Sequence, residues 1–573
     1  MKLRYIYMTA IAGLSLSLAS CEDFLEKETD NRIELVNSKQ IVQLLTTGYF
    51  TGNYGPICET SSDNVMDNNS PHVDALGDGK KTVYYNLTSY NRMYDELFAF
   101  EPVRSSTSTD SPSAVWEGCY NAIATANHAL EAIDKLRNEG KVDAALNGAE
   151  GEALLIRAYN HFLLVNIFSQ AYRNPTLSKN DIGIPYVTKP ETEVLVHYDR
   201  GNVADVYAKI REDLEKGLKL VTDDIYADGQ ARKFHFNEKA AHAFAARFYL
   251  YIREYDNVIK HANIVLGETE ESALACLPDW EPFAKCTTGS DFANAWLNPE
   301  SPNNLLLVST YSTAWRGMAS SVRYACNGDI AKATLYSFSP TCSLAPAPWL
   351  SNSGLFINGK QDWGLLSGKG VEMFEYTDKV AGIGYPHIVR REFTSAETLL
   401  CRAEAKILKK NPDFEGAVAD LRAYDKNHQI LPTPGVEKYF NRDGELSSEL
   451  IKTYYTKEKN PLVVLDYNTS LMDPEFVISE EAKPYFDCMM DFRRIETIGD
   501  GTRFFDVKRL GLEYSHIIGK SATVETLTWN DPRRAIEIPQ EVQAAGVESS
   551  YAKVPAATAP AASKVSKSEV KSN

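Results

Sequence analysis

Apolar residues recur at helical spacing through almost all of the stretch from Val115 to Gly267, and this pattern constrains the fold more than any other feature of the chain. Tyr120, Ile123, Leu130, Ile133 and Leu136 form one stripe of the roughly 3.6-residue period. Leu155, Ala158, Phe162 and Val165 form a second, and Val203, Val206, Ile210 and Leu214 a third. Ala240, Phe244, Phe248 and Tyr251 make a fourth, and Tyr255, Ile259, Ala262 and Leu266 a fifth. Polar or glycine-containing breaks separate them. Each predicted helix therefore has one face to bury and a neighbour close in sequence to bury it against, which is the logic of stacked helical hairpins. Ala245 to Ala262 looks like a tetratricopeptide unit, and Ala396 to Leu408 followed by Phe414 to Tyr424 reads as another pair, giving helical repeats over 115–267 and 395–424.

Two segments lack this period. Residues 276–390 are rich in Pro, Gly, Asn and Ser, yet hold Trp280, Trp296, Trp315, Trp349 and Trp363. Disordered chains are poor in aromatics, so this stretch is expected to be ordered and laid over the helices. Residues 51–113 are similar in kind, with Tyr54, Tyr84, Tyr85, Tyr90 and Tyr94 among polar turn-formers. The fold class expected is mainly α: a tetratricopeptide-like helical-hairpin scaffold with a large irregular, loop-rich subdomain.

The termini read differently. Lys2 and Arg4 precede an apolar run from Tyr5 to Leu18, too short for a spanning helix of about 20 residues. It ends in Leu18-Ala19-Ser20-Cys21, which resembles a bacterial lipobox, so residues 1–20 are expected to be a lipoprotein signal peptide and Cys21 the lipidation site. Glu22, Asp23, Glu26 and Glu28 follow, resembling the signal that sends such lipoproteins to the outer face of the outer membrane. Residues 549–573 contain little that can build a core and are expected to form a disordered tail, leaving 21–548 as the folded part.

A formal charge of −17 argues against a nucleic-acid partner, because that binding rests on basic patches. No Cys-x-x-Cys pair is present; Cys276–Cys286 and Cys326–Cys342 are local disulfide candidates, with the pairing left open. Gly499-Asp500-Gly501 has no buried strand before it and is a poor nucleotide loop. His235 and His242 read as satisfied histidines rather than metal ligands. Asp63, Asn64, Asp67, Asn68 and Asn69 miss the spacing of a calcium loop and read as a solvated turn; no metal or other cofactor is assigned, and a structural calcium has no support. No nucleophile elbow, zinc-protease helix or phosphate loop is visible, so no catalytic residue is named and the chain is not read as an enzyme.

Several short motifs, taken in order, resemble the SusD-like (RagB/SusD) family of outer-membrane nutrient-binding lipoproteins. They are Cys21-Glu22-Asp23-Phe24-Leu25, then Trp116-Glu117-Gly118-Cys119-Tyr120-Asn121-Ala122-Ile123, then Gly151-Glu152-Ala153 with Arg157-Ala158-Tyr159. Gly183-Ile184-Pro185-Tyr186 follows, and Phe492-Arg493-Arg494, Gly501-Thr502-Arg503-Phe504-Phe505-Asp506, Arg509-Leu510-Gly511 and Ile538-Pro539 complete the series. Phe492, Asp500 and Leu510 depart from the residues usual in the family. The resemblance implies four tetratricopeptide-like helix pairs and a non-catalytic protein that captures an oligosaccharide or polysaccharide and delivers it to a TonB-dependent (SusC-like) outer-membrane transporter. Aromatic loops suit that role, since a flat ring covers the C–H face of a sugar. On that resemblance the ligand-binding candidates are Tyr84, Tyr90, Trp296, Tyr311, Trp315 and Trp349. The alternatives are the same architecture binding peptides, a tetratricopeptide scaffold that binds only proteins, or a lipoprotein glycosidase.

Overall fold

Each long helix begins where a polar side chain satisfies amides that the first turn leaves free. In the computed structural model, Ser111 caps the helix Pro112–Asn138, which starts on a proline suited to that position. Asp143, Asn202 and Asn237 cap the helices Ala144–Phe168, Val203–Gly217 and Glu238–Tyr251 in the same way. The residues described are 35–551, apart from 74–81, 105–107, 192–195, 227, 287, 319–322, 328, 331–332, 335–367 and 429–444. The expected signal peptide, Cys21, Cys342, Trp349 and residues 552–573 lie outside them.

In chain order, the scaffold comprises α1 (Ser38–Leu45), α2 (Pro112–Asn138), α3 (Ala144–Phe168), α4 (Val203–Gly217), α5 (Glu238–Tyr251), α6 (Tyr255–Leu266), α7 (Ser395–Leu408), α8 (Phe414–His428), α9 (Lys483–Thr497) and α10 (Arg503–Arg509). Helices α2 and α3, α5 and α6, and α7 and α8 form hairpins. Helix α4 packs on α3, α6 on α7, and α9 on α7, so the pairs stack into one mainly α array. All five stripes between Val115 and Gly267, and both later ones, fall inside these helices. Helix α3 lies at the centre, buried on all sides from Gly148 to Phe168. Its neighbour comes close because residue 151 is glycine: a Cβ there would stand 2.4 Å from the Val221 backbone nitrogen. No helix among the described residues is long and apolar enough to cross a membrane.

The late motif is a structural clasp. Arg493, fully buried on α9, bonds Asp506 of α10 at 2.9 Å, and Asp506 also accepts from Arg509 at 2.8 Å. Arg509 reaches Glu404 on α7, and Arg503 pairs with Asp63 at 2.8 Å. Buried charges persist only when paired in this way, and removing one partner is far costlier than the pair is stabilising.

Three expectations change here. The segment Asp63–Asn69 is not a solvated turn: Asn64, Asp67 and Asn68 are fully buried. Asp67 holds Arg323 through both oxygens, at 2.9 and 2.7 Å, and accepts from the Gly519 amide, so its oxygens are committed to protein donors. Cys276 and Cys286 are both free thiols. Ser549, Ser550 and Tyr551, placed in the tail from sequence, are bonded to the body, with the Ser550 amide donating to Glu537 and the Tyr551 hydroxyl to the Ala535 carbonyl.

The loop-rich middle contains an antiparallel sheet, with β1 (Asn304–Tyr311), β2 (Met373–Asp378) and β3 (Ile383–Thr394) in the order β1-β3-β2. Strand β3 runs directly into the scaffold: Thr394 ends the strand and its hydroxyl caps α7. Asn303, just before β1, accepts from the Ala396 amide at 3.0 Å, fixing the other strand to the same helix start.

Candidate functional site

Alternation along β1 and β3 gives the sheet two unlike faces. Val308, Thr310, Ile388 and Arg390 point to the body and are buried. There the Arg390 guanidinium lies 4.0 Å from the centroid of Tyr54 and donates to Asn53 at 2.7 Å. Glu392, two residues on, accepts from the hydroxyls of Tyr54, at 2.6 Å, and Tyr159. Arg390 holds the Glu392 carboxyl below the usual range against the opposing effect of burial.

The opposite face changes character along its length. At one end Arg391 is covered by Trp296, which is 4 % exposed and packs with Phe283 and Phe292 in a small separate core. At the other end the face opens to solvent. Tyr311 pairs across the ladder with His387, and His387 with Met373, so the three share one row. Tyr385, opposite Glu375, stands one step away on the same face. The rings of Tyr311 and Tyr385 meet edge to face with centroids 4.5 Å apart. The Tyr311 hydroxyl donates to that of Tyr385 at 3.4 Å.

The rim is built by the chain that follows β1. Asp110 accepts from the Ser312 hydroxyl at 2.6 Å and from the Thr313 amide at 2.8 Å, pinning the turn into the short helix Ala314–Gly317. Burial nevertheless pushes the Asp110 carboxyl above the usual range. Gly317 lets that helix sit on Tyr94, because a Cβ would come within 2.1 Å of the tyrosine hydroxyl. Arg316 then reaches Glu372 at 3.1 Å, and the Glu372 carboxylate raises the guanidinium's already high pKa. The Tyr90 phenol adds to the same effect, which places it beside Arg316. Glu372 Oε2 and His387 Nδ1, at the base of the patch, have no hydrogen-bond partner among the described residues.

The structure therefore brings two of the six sequence candidates together. Tyr90 and Tyr311, 45 % and 42 % exposed, flank Arg316, Glu372 and Tyr385. Tyr84 is exposed at the far end of the loop that carries Tyr90, with the Lys520 ammonium 4.6 Å from its ring centroid. Trp296 is a core residue, unavailable for stacking. Trp315 lies on Ala314–Gly317, but its side chain, like all of Trp349, falls outside the described residues. Tyr385, Arg316 and Glu372 went unrecognised in the sequence. The period-two signal of β3, Tyr385 and His387 on one face against Ile388 and Arg390 on the other, was the clue available.

The other motifs weighed in the sequence have structural partners. Glu59 accepts from the Gly499 amide at 2.9 Å and the Gly501 amide at 3.1 Å, occupying the donors a nucleotide would need. His235 bonds Glu152 at 2.7 Å, whereas His242 bonds His261 at 2.8 Å. The described residues hold no group of three or more His, Cys, Asp or Glu arranged for a metal.

Chemically, the sheet patch offers flat apolar rings beside a guanidinium, a carboxylate and phenol hydroxyls. Such a surface covers the C–H face of a ring compound while bonding its hydroxyl groups.

Comparison with known proteins finds a family match in the N-terminal part and a shared fold over most of the chain. Residues 23–250 match the SusD-like family model described as "Starch-binding associating with outer membrane". No curated protein sequence matches. Among solved structures, a SusD superfamily protein from Bacteroides vulgatus superposes with a TM-score of 0.55 at 15 % identity, over 90 % of this chain and 99 % of that one. Another from Bacteroides thetaiotaomicron gives 0.54 at 16 %, over 90 % and 100 %. A SusD-like carbohydrate binding protein from Bacteroides vulgatus gives 0.50 at 14 %, over 89 % and 97 %. The family match in the N-terminal part and the shared fold over nine-tenths of the length agree with the ordered motifs.

Proposed function

We propose that this protein captures a glycan on the open end of the three-stranded sheet, holds it without cleaving it, and passes it to an outer-membrane transporter. The observation that carries the reading is the Tyr311–Tyr385 pair at the open end of the sheet, set beside Tyr90 and the Arg316–Glu372 ion pair. Family description and neighbour agree with it: one names starch binding and outer-membrane association, the other carbohydrate binding. The anchor belongs to the same proposal, with residues 1–20 removed, Cys21 acylated and the folded part facing the cell exterior.

The test is calorimetric titration of the purified protein with soluble starch, β-glucan, xylan, mannan and a set of oligopeptides. Each glycan is assayed afterwards for new reducing ends. Binding to a glycan class without cleavage, weakened in Tyr311→Ala and Tyr385→Ala, is the expected result. Binding to peptides alone, or release of reducing ends, overturns it.

A further inference from the structure

A second concave site lies away from the sheet, where α3 ends. Its volume is about 240 Å³, and its lining comes from the chain after α3 (Gln170 to Ile182), from Met472 and Lys508, and from the C-terminal segment (Trp529 to Ser550). None of those residues belongs to the sheet, to the loop carrying Tyr90 or to the helix Ala314–Gly317. The volume falls below the ~300–1,000 Å³ of pockets for drug-sized molecules, so it suits one small ring rather than a chain.

The chemistry of the walls is specific. Trp529 supplies a partly buried indole; its own backbone amide is tied to Glu513 at 3.1 Å, which fixes the residue in place. Facing the same cavity, Arg173 bonds Asp181 Oδ2 through Nε at 3.1 Å and Nη2 at 2.8 Å. That arrangement uses one carboxylate oxygen twice and leaves Oδ1 without a hydrogen bond among the described residues. Gln170 is held by its Nε2, which donates to the Pro532 carbonyl at 3.0 Å, and Asn180 stands exposed at the mouth. Lys508, behind the wall, donates to the Ser169 carbonyl at 2.7 Å, and burial lowers its ammonium to about 7. Arg173 and Asp181 neutralise one another, so the cavity has no strong charge to attract an ion.

We infer that this cavity is a subsite for a single neutral pyranose, stacked on Trp529 and hydrogen-bonded through adjacent hydroxyls to Asp181 and Gln170. An indole covers the C–H face of such a ring, and the Asp181 carboxylate beside the Gln170 Oε1 accepts from neighbouring hydroxyls. The inference rests on the reading of the protein as a saccharide binder, but it concerns a separate place and a smaller ligand.

Saturation-transfer NMR on the purified protein with glucose, galactose, mannose and N-acetylglucosamine tests it. Transfer to at least one of them is expected, with dissociation constants of about 1–10 mM. Trp529→Ala should abolish the transfer, Trp529→Phe should keep most of it, and Asp181→Asn should weaken it about tenfold. Melting curves establish that each variant is folded. Transfer that survives in folded Trp529→Ala overturns the subsite. So does transfer lost only in Tyr311→Ala, which would seat the sugar on the sheet and leave the proposed function standing. No transfer to any of the four, with glycan titrations positive, overturns the subsite alone; failure of both experiments overturns both readings.

Discussion

Arg391 lies over Trp296, its guanidinium carbon 3.2 Å from the indole centroid, and reaches Glu496 at 3.7 Å. The contact seals one end of a sheet face whose other end carries Tyr311 in the open. One end of the face thus lies under a packed tryptophan and the other carries an exposed tyrosine.

Trp296→Ala should therefore be costly to stability. Truncating a buried aromatic removes about 3–5 kcal/mol, whereas an exposed ring changes stability by about 0.5 kcal/mol. Urea unfolding should show a clear fall in midpoint for Trp296→Ala and almost none for Tyr311→Ala. Equal midpoints would mean that the Trp296 layer does not pack as described.

Glycan affinity should follow the opposite order. Tyr311→Ala and Tyr385→Ala should each lose about 1–2 kcal/mol of binding, or roughly tenfold in affinity, because each removes a stacking surface. Tyr311→Phe should lose much less, since the ring remains and only the 3.4 Å hydroxyl contact goes. Calorimetry with a bound oligosaccharide reads both.

Gly151→Ala tests the centre of the scaffold. The added Cβ would stand 2.4 Å from the Val221 nitrogen and 2.7 Å from the Leu220 carbonyl carbon, so backbone must move. Overpacking of this kind costs about 1–3 kcal/mol or more. A lowered melting temperature with unchanged glycan affinity per folded molecule is expected.

The pH dependence of stability has an identifiable contributor in His161. Its Nδ1 lies 2.8 Å from the Arg157 carbonyl, its Nε2 accepts from the Val187 amide at 3.1 Å, and Tyr186 stacks on it at 3.8 Å. The ring is fully buried, and burial lowers it from 6.5 to about 3. A histidine depressed on folding contributes stability that is complete above its unfolded value and is lost as pH falls from about 6.5 toward 3. In NMR spectra the His161 ring should remain neutral at about pH 5. A His161 ring already protonated at that pH would contradict the buried neutral state.

The sequence by itself determined the helical scaffold, because amphipathic spacing and caps are local. The stripes from Tyr120 to Leu266, and the pair from Ala396 to Tyr424, needed nothing beyond the chain next to them. The ordered motifs were legible too, and the buried bonds of Arg493, Arg503, Asp506 and Arg509 show why those residue types occur together. Strand β1 was hidden for a physical reason: Leu305, Leu306, Leu307 and Val308 are buried on both faces and leave no alternation to read. Exposure was decided only in three dimensions. Trp296 and Tyr311 are both aromatics in a polar, irregular stretch, and nothing local separates them. What covers Trp296 is Arg391, 95 residues later in the chain, and what exposes Tyr311 is its place at the open end of the ladder opposite His387. Burial of a side chain depends on contacts made across the sequence, so the rings left exposed and the rings that pack could be told apart only once the sheet had been set against the helices.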